Sequence, residues 1–258
     1  MRAKLSSSIV LSLFMAGSAV AAVPSIEDKA PKQASGDFWQ AEKEGGCKAL
    51  PAADSTRLGL IRQMLTTGKP HAAIAYLDAA KIQAPQADLL RADGLRQTGR
   101  PDEAETLYRR LLKTCVAGYA YQGLGLSASK AGKTREAADD LKAASLALPI
   151  DAAIRNDYGY ALMTLGDTQA ALHEFLTAIE LAPENRLAAN NLVMLLSRLG
   201  DVDKAQAMAQ RFGMTEATLE RLRLLAQQPA ANAAVDGDAI KAVVVEDAET
   251  LPKPEDSK

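Results

Sequence analysis

The 258-residue chain reads as an all-α protein, a right-handed solenoid of about five helix–turn–helix repeats closed by a C-terminal capping helix. Three observations lead there. A glycine followed five residues later by an alanine recurs at Gly68/Ala73, Gly99/Ala104, Gly132/Ala137, Gly166/Ala171 and Gly200/Ala205. The period is close to 34 residues, the length of one helical hairpin in a stacked array. Aromatic residues make up only 4% of the chain, and β-branched runs are scarce outside its two ends, which disfavours a sandwich or barrel.

Taken in order, residues 1–22 read as a secretory signal peptide. Arg2 and Lys4 supply the positive start, Ile9 to Ala16 the short apolar core, and Ala19-Val20-Ala21 a small-x-small cleavage site, so that cleavage is expected near Ala21/Ala22. The apolar run is too short to span a bilayer, and no other run in the sequence reaches the length a transmembrane segment needs. Residues 23–53, with Pro24, Pro31, Gly36, Gly45 and Gly46, read as a flexible linker. Residues 54–228 hold the repeats. Residues 229–258 carry an acidic excess and three prolines and read as a disordered tail, interrupted by Ala242-Val243-Val244-Val245, either an isolated strand or a docking segment.

Within the solenoid the two cleanest repeats start at Gly118 and Ala152. Residues three or four apart share a helix face, so Leu124/Ala128 and Tyr158/Leu162 point inward together. Gly125, Gly159, Ala137 and Ala171 are small enough for paired helices to approach closely. Gly132, Gly166 and Gly200 fall in turns, and Pro149 and Pro183 stop the second helices. Pro70 and Pro101 lie near the first turn of the next helix, where proline is tolerated. The first repeat has Ile61 where a small residue is expected. The second departs furthest, with Arg91 where leucine is usual and Leu111 where alanine is usual. After Gly213, Thr215 is a candidate N-cap for a last helix with Leu219, Leu222 and Leu225 on one stripe, suited to covering the open end of the array.

The eight signature positions, filled by Tyr121, Leu124, Gly125, Ala128, Ala137, Leu141, Ala144 and Pro149 in one repeat and by Arg155, Tyr158, Gly159, Leu162, Ala171, Phe175, Ala178 and Pro183 in the next, identify residues 54–228 as a member of the tetratricopeptide repeat superfamily. Two segments, Arg155-Asn156-Asp157-Tyr158-Gly159-Tyr160-Ala161-Leu162 and Ala189-Asn190-Asn191-Leu192, together with the export signal, resemble more narrowly the TadD family of tight-adherence (Flp) pilus assembly proteins, over residues 85–228. That resemblance implies a non-enzymatic scaffold of the bacterial envelope that assists pilus assembly and acts with the secretin. Members of that family are usually lipoproteins; here Ala or Val, not cysteine, follows the small residues of the signal, so the expectation is a soluble periplasmic protein, associated with the outer membrane only through a partner. A general envelope repeat protein serving another assembly is the alternative.

In such a solenoid the first helices line a concave groove that takes an extended protein segment. By repeat position the lining comprises Tyr119, Gln122 and Leu126, then Asn156, Tyr160 and Met163, then Asn190, Met194 and Arg198. Asn156 and Asn190 lie one repeat apart, and such amides can either hold a peptide backbone or bond a neighbouring helix. Asn191 sits where the repeat pattern itself carries asparagine. Tyr160 and Asn190 are expected to be partly exposed. Cys47 and Cys115 would pair in an oxidising compartment, tying the linker to the second repeat; two free thiols, or a bond to a partner, remain open. A net charge of −2 without a basic cluster argues against nucleic acid. His71 and His173 lack companions for a metal site, no nucleophile elbow or phosphate loop occurs, and no cofactor or catalytic residue is expected.

Overall fold

A computed structural model describes residues 47–228. The predicted signal peptide, most of the linker and the acidic tail lie outside the described residues. Eleven helices follow one another, with no strand among the described residues: α1 (Ala52–Thr66), α2 (Pro70–Ala80), α3 (Pro85–Gln97), α4 (Pro101–Leu111), α5 (Ala117–Lys130), α6 (Thr134–Ala147), α7 (Ala152–Leu165), α8 (Thr168–Leu181), α9 (Arg186–Arg198), α10 (Val202–Arg211) and α11 (Glu216–Ala226). Five helical hairpins and a terminal helix are therefore present, as the repeat arithmetic requires. No described helix is long and apolar enough to cross a membrane.

Local chemistry explains where the helices begin and end. Pro70, Pro85 and Pro101 open α2, α3 and α4, where the missing N–H is not needed. Later helices start on side-chain caps: Asp151 accepts from the Ala153 and Ile154 amides, Asp167 from Ala170, Asn185 from Ala188 and Asp201 from Lys204. Thr215 caps α11 by accepting from the Thr218 amide. The turn glycines 68, 99, 132, 166 and 200 all have φ between +72° and +85°, a left-handed backbone that only glycine adopts without penalty.

Two further glycines are set by packing. A Cβ on Gly125 would lie 2.6 Å from Leu141, and one on Gly159 2.8 Å from the Phe175 ring, so α5 and α7 sit directly on the large side chains of their partner helices. In the irregular first repeat Ile61 is accommodated by burial, at 1% exposure, in a small cluster with Leu58, Leu65 and Leu77. Arg91 lies half-buried on α3, its Nη1 2.7 Å from Asp78, and Leu111 is buried. The largest apolar core runs from α7 to α11 around Phe175, Leu192, Leu195 and Leu222.

Successive odd-numbered helices touch, α1 with α3, α3 with α5, α5 with α7 and α7 with α9. The even-numbered helices instead pack chiefly on their odd-numbered neighbours. That asymmetry curves the stack with the odd-numbered helices on its concave side. Cys47 and Cys115 are joined by a disulfide, their Cα atoms 4.9 Å apart, which fastens the chain ahead of α1 to the α4–α5 connection.

Candidate functional site: the face of the odd-numbered helices

The concave face is built as a cross-helix row of polar side chains. The Gln122 amide of α5 donates to Asp157 Oδ2 of α7 at 2.7 Å. Its neighbour Asn156 reaches Asp157 Oδ1 at 3.5 Å, and Asn191 Nδ2 of α9 donates to Asn156 Oδ1 at 2.8 Å. The two steps between helices each span 35 residues, about one repeat, so the period itself brings those partners together, while Asn156 and Asp157 are neighbours in sequence. Tyr119 of α5 donates to Asp151, the capping carboxylate of α7, at 3.2 Å; burial, with Asp151 adding to it, pushes its hydroxyl well above the usual tyrosine range, so it stays a donor.

Toward the N-terminal end the row continues in charge. Tyr108, from the even-numbered α4, is fully buried and threads its ring beneath α5 at Gly123, where a Cβ would lie 2.3 Å from the ring. Its hydroxyl emerges between α3 and α5, donates to Asp93 at 2.6 Å and accepts from Arg96 Nε at 3.3 Å. Burial raises the Asp93 carboxyl above its ordinary value, opposed by Arg96, the Tyr108 hydrogen bond and Arg62. Arg62, Asp93, Arg96 and Asp157 thus alternate in sign along the first four repeats.

The predicted lining residues divide. Tyr119, Gln122, Leu126, Tyr160 and Arg198 are half-buried, with part of each at the surface. Asn156, Met163, Asn190 and Met194 are not open: they are 3%, 3%, 0% and 0% exposed. For Asn156 the reason is its bond to Asn191, the helix-bonding reading of these amides. The two methionines belong to the core around Phe175 and Leu192, since a flexible thioether fills irregular space between helices.

Asn190 is covered for another reason. On α9, Asn190, Met194 and Arg198 share one stripe, and α11 packs chiefly on α9 rather than on α10. The Arg198 guanidinium donates to the Ala226 and Leu225 carbonyls at the end of α11, at 3.2 and 3.5 Å. The expectation of a partly exposed Asn190 is thereby corrected: the terminal helix closes the last segment of the face.

Sequence reasoning passed over Asp93, Arg96, Tyr108 and Asp157. Asp157 was within reach, since it stands 35 residues after Gln122 and next to a residue already singled out. Tyr108 gave no such signal, because its helix belongs to the outer layer and only its hydroxyl reaches the inner face.

The model of the tetratricopeptide repeat family matches residues 58–120, 123–186 and 160–212. The chain belongs to the tetratricopeptide repeat family. A TPR repeat-containing protein of Pseudomonas aeruginosa is 37% identical over 180 residues, 65% of this chain and 73% of that protein. Among solved structures, pilF of Pseudomonas aeruginosa matches with a TM-score of 0.55 at 18% identity, covering 75% of this chain and 90% of that one, a likeness of fold. MamA from Desulfovibrio magneticus RS-1 matches with a TM-score of 0.48 at 21% identity, over 67% of this chain and 98% of that one. As a tetratricopeptide repeat protein the chain is a protein-interaction module, of a fold whose members are generally not catalysts.

Proposed function

We propose that this protein is an exported, non-enzymatic scaffold that holds an extended segment of a partner along the concave face of α3, α5 and α7, and that it assists assembly of a tight-adherence pilus with the secretin as partner. The observation that carries the binding mode is the row Gln122–Asp157–Asn156–Asn191, flanked by half-buried Tyr119 and Tyr160. A peptide laid along it meets the half-buried Gln122 amide and Asp157 carboxylate, which suit backbone groups, while the buried Asn156–Asn191 pair holds α7 and α9 together beneath them. The two tyrosines add flat apolar area at low entropic cost. The pilus setting is supported by the sequence segments around Asn156 and Asn190 that resemble TadD and by the signal-peptide pattern of residues 1–22. The periplasm as compartment is supported by the same pattern and suits the Cys47–Cys115 pair.

The test is binding of the mature protein to recombinant periplasmic fragments of a tight-adherence secretin, measured by calorimetry. Tyr119→Ala and Tyr160→Ala are expected to weaken binding by on the order of tenfold each, with only a modest fall in melting temperature from their half-buried rings and the lost Tyr119–Asp151 bond. Binding that ignores both changes overturns the concave face as the site. A scaffold that binds other envelope proteins in this face but no secretin fragment serves a different assembly.

A further inference from the structure

A stack of repeats that ends must hide the face a further repeat would cover. Here α11 does so, but its fit to α9 leaves one group behind. Asn190 is fully buried, and neither its Oδ1 nor its Nδ2 has a hydrogen-bond partner. One repeat earlier, the residue in the same place, Asn156, is paired: Asn191 of the next odd-numbered helix donates to it at 2.8 Å. The inward side of α11 presents Leu219 and Leu222, with Thr218 bonded to its own cap Thr215, and nothing that pairs with the amide. A buried amide with neither donor nor acceptor satisfied penalises the closed arrangement.

We propose that the α9 face carrying Asn190 is a docking surface for an amphipathic helix of a partner protein, one that presents a leucine stripe and a single inward asparagine or glutamine, and that α11 is a resident occupant displaced by it. The occupant is a helix because the surface is already shaped to one. The inward amide follows from the Asn156–Asn191 pair, which shows how this helix stack satisfies an asparagine at this position. Displacement is feasible in the same terms. α11 spans 11 residues and is joined through Gly213 at φ +59°; it is held by the burial of Leu219 and Leu222 and by side-chain bonds that include Arg198 to its last carbonyls and Arg223 to Gln206, ties that an incoming helix with its own leucine stripe would replace. This surface is distinct from the open row on α3, α5 and α7, so the two proposals stand or fall separately.

The experiment uses the full chain with Asn190→Leu and Asn156→Leu as a matched pair, followed by amide hydrogen exchange and thermal melting. In the wild type, the α11 amides are expected to exchange on the order of tenfold faster than those of α9. Asn190→Leu removes the unpaired amide and is expected to raise the melting temperature and slow α11 exchange by on the order of tenfold, whereas Asn156→Leu breaks a made bond and lowers the melting temperature. A lowered melting temperature for Asn190→Leu, or α11 exchange unchanged by it, overturns the displaceable occupant.

Docking is read with a fluorescein-labelled peptide of residues 186–200, which carries the α9 leucine stripe and Asn191, and a control peptide bearing Asn191→Leu. Saturable binding to the wild type, weakened on the order of tenfold by either Asn190→Leu in the protein or Asn191→Leu in the peptide, is the expected result. No binding, or binding indifferent to both amides, overturns the docking surface.

Discussion

Asn191 Nδ2 donates to Asn156 Oδ1 at 2.8 Å, and this single bond crosses from the fifth repeat to the fourth inside a fully packed layer. It ties α9 to α7 at the point where the concave row meets the core. Asn156 is 3% and Asn191 2% exposed, so water offers neither amide a substitute.

The first prediction concerns that bond. Asn156→Leu strands the Asn191 donor and is expected to destabilise the protein by about 1–3 kcal/mol, the usual penalty for orphaning a buried polar group. Changing both residues to leucine removes donor and acceptor together. The double variant is therefore expected to lose less stability than the sum of the single variants, with a coupling of at least about 0.5 kcal/mol in a denaturant-unfolding cycle. Strictly additive losses would show that the two amides act independently.

The second prediction contrasts two glycines on odd-numbered helices. Gly59 on α1 is exposed and a Cβ there meets nothing within 4 Å, so Gly59→Ala is expected to stabilise by about 0.5–1 kcal/mol through helix propensity alone. A Cβ on Gly123 falls 2.3 Å from the Tyr108 ring, which is fully buried and fixed by its bonds to Asp93 and Arg96. Gly123→Ala is expected to cost about 1–3 kcal/mol and to disturb the Asp93–Tyr108–Arg96 cluster with it. Opposite shifts in melting temperature are the expected reading.

How much of this was legible follows from where the period acts. The glycine–alanine spacing indicates five hairpins and the turns at Gly68 to Gly200, and the Thr215 cap with its leucine stripe indicates the terminal helix, because each depends on residues close in sequence. The curvature and the row along it came through only in part. Gln122, Tyr119 and Tyr160 stand at the surface as their repeat position indicates. Met163 and Met194 were misjudged because, in the heptad-like crowding of α7 and α9, the concave positions are also those that meet the next repeat. Asn190 was misjudged because α11 does not continue the array in register but leans onto α9. No local pattern in Glu216–Ala226 encodes that placement, which is set by long-range packing on α9.

The third prediction is a pH dependence. Burial raises the Asp93 carboxyl above its ordinary 3.8, against the pull of Arg96, Tyr108 and Arg62. The folded state thus holds this proton more tightly than the unfolded chain. Its contribution to stability is full below 3.8 and is lost as pH rises through the higher folded value. Asp93→Asn removes the titration and is expected to flatten the corresponding part of the stability curve above pH 3.8. The check is the difference between wild-type and variant urea midpoints across that range. Parallel curves would exclude Asp93 as the source.

The last prediction concerns the disulfide. Cys47 and Cys115 are 68 residues apart in sequence, and the loop they close contains all of α1 to α4. The apolar cluster of α1 to α3, around Leu58, Ile61 and Leu77, is small beside the core that runs from α7 to α11. The bridge therefore braces a part of the stack whose apolar cluster is smaller than that of the C-terminal end. Restricting a loop of this length in the unfolded chain contributes about 2–4 kcal/mol by the entropic account. Thiol labelling of the denatured, non-reduced protein is expected to find no free thiol. Cys115 is exposed, so a mild reductant reaches it. After reduction, or in a Cys47→Ser/Cys115→Ser variant, the stability loss is expected to appear first as faster amide exchange in α1 and α2, while α7 to α9 keep their protection. Uniform acceleration across all five hairpins would mean instead that the array unfolds as one unit and that the bridge stabilises it globally.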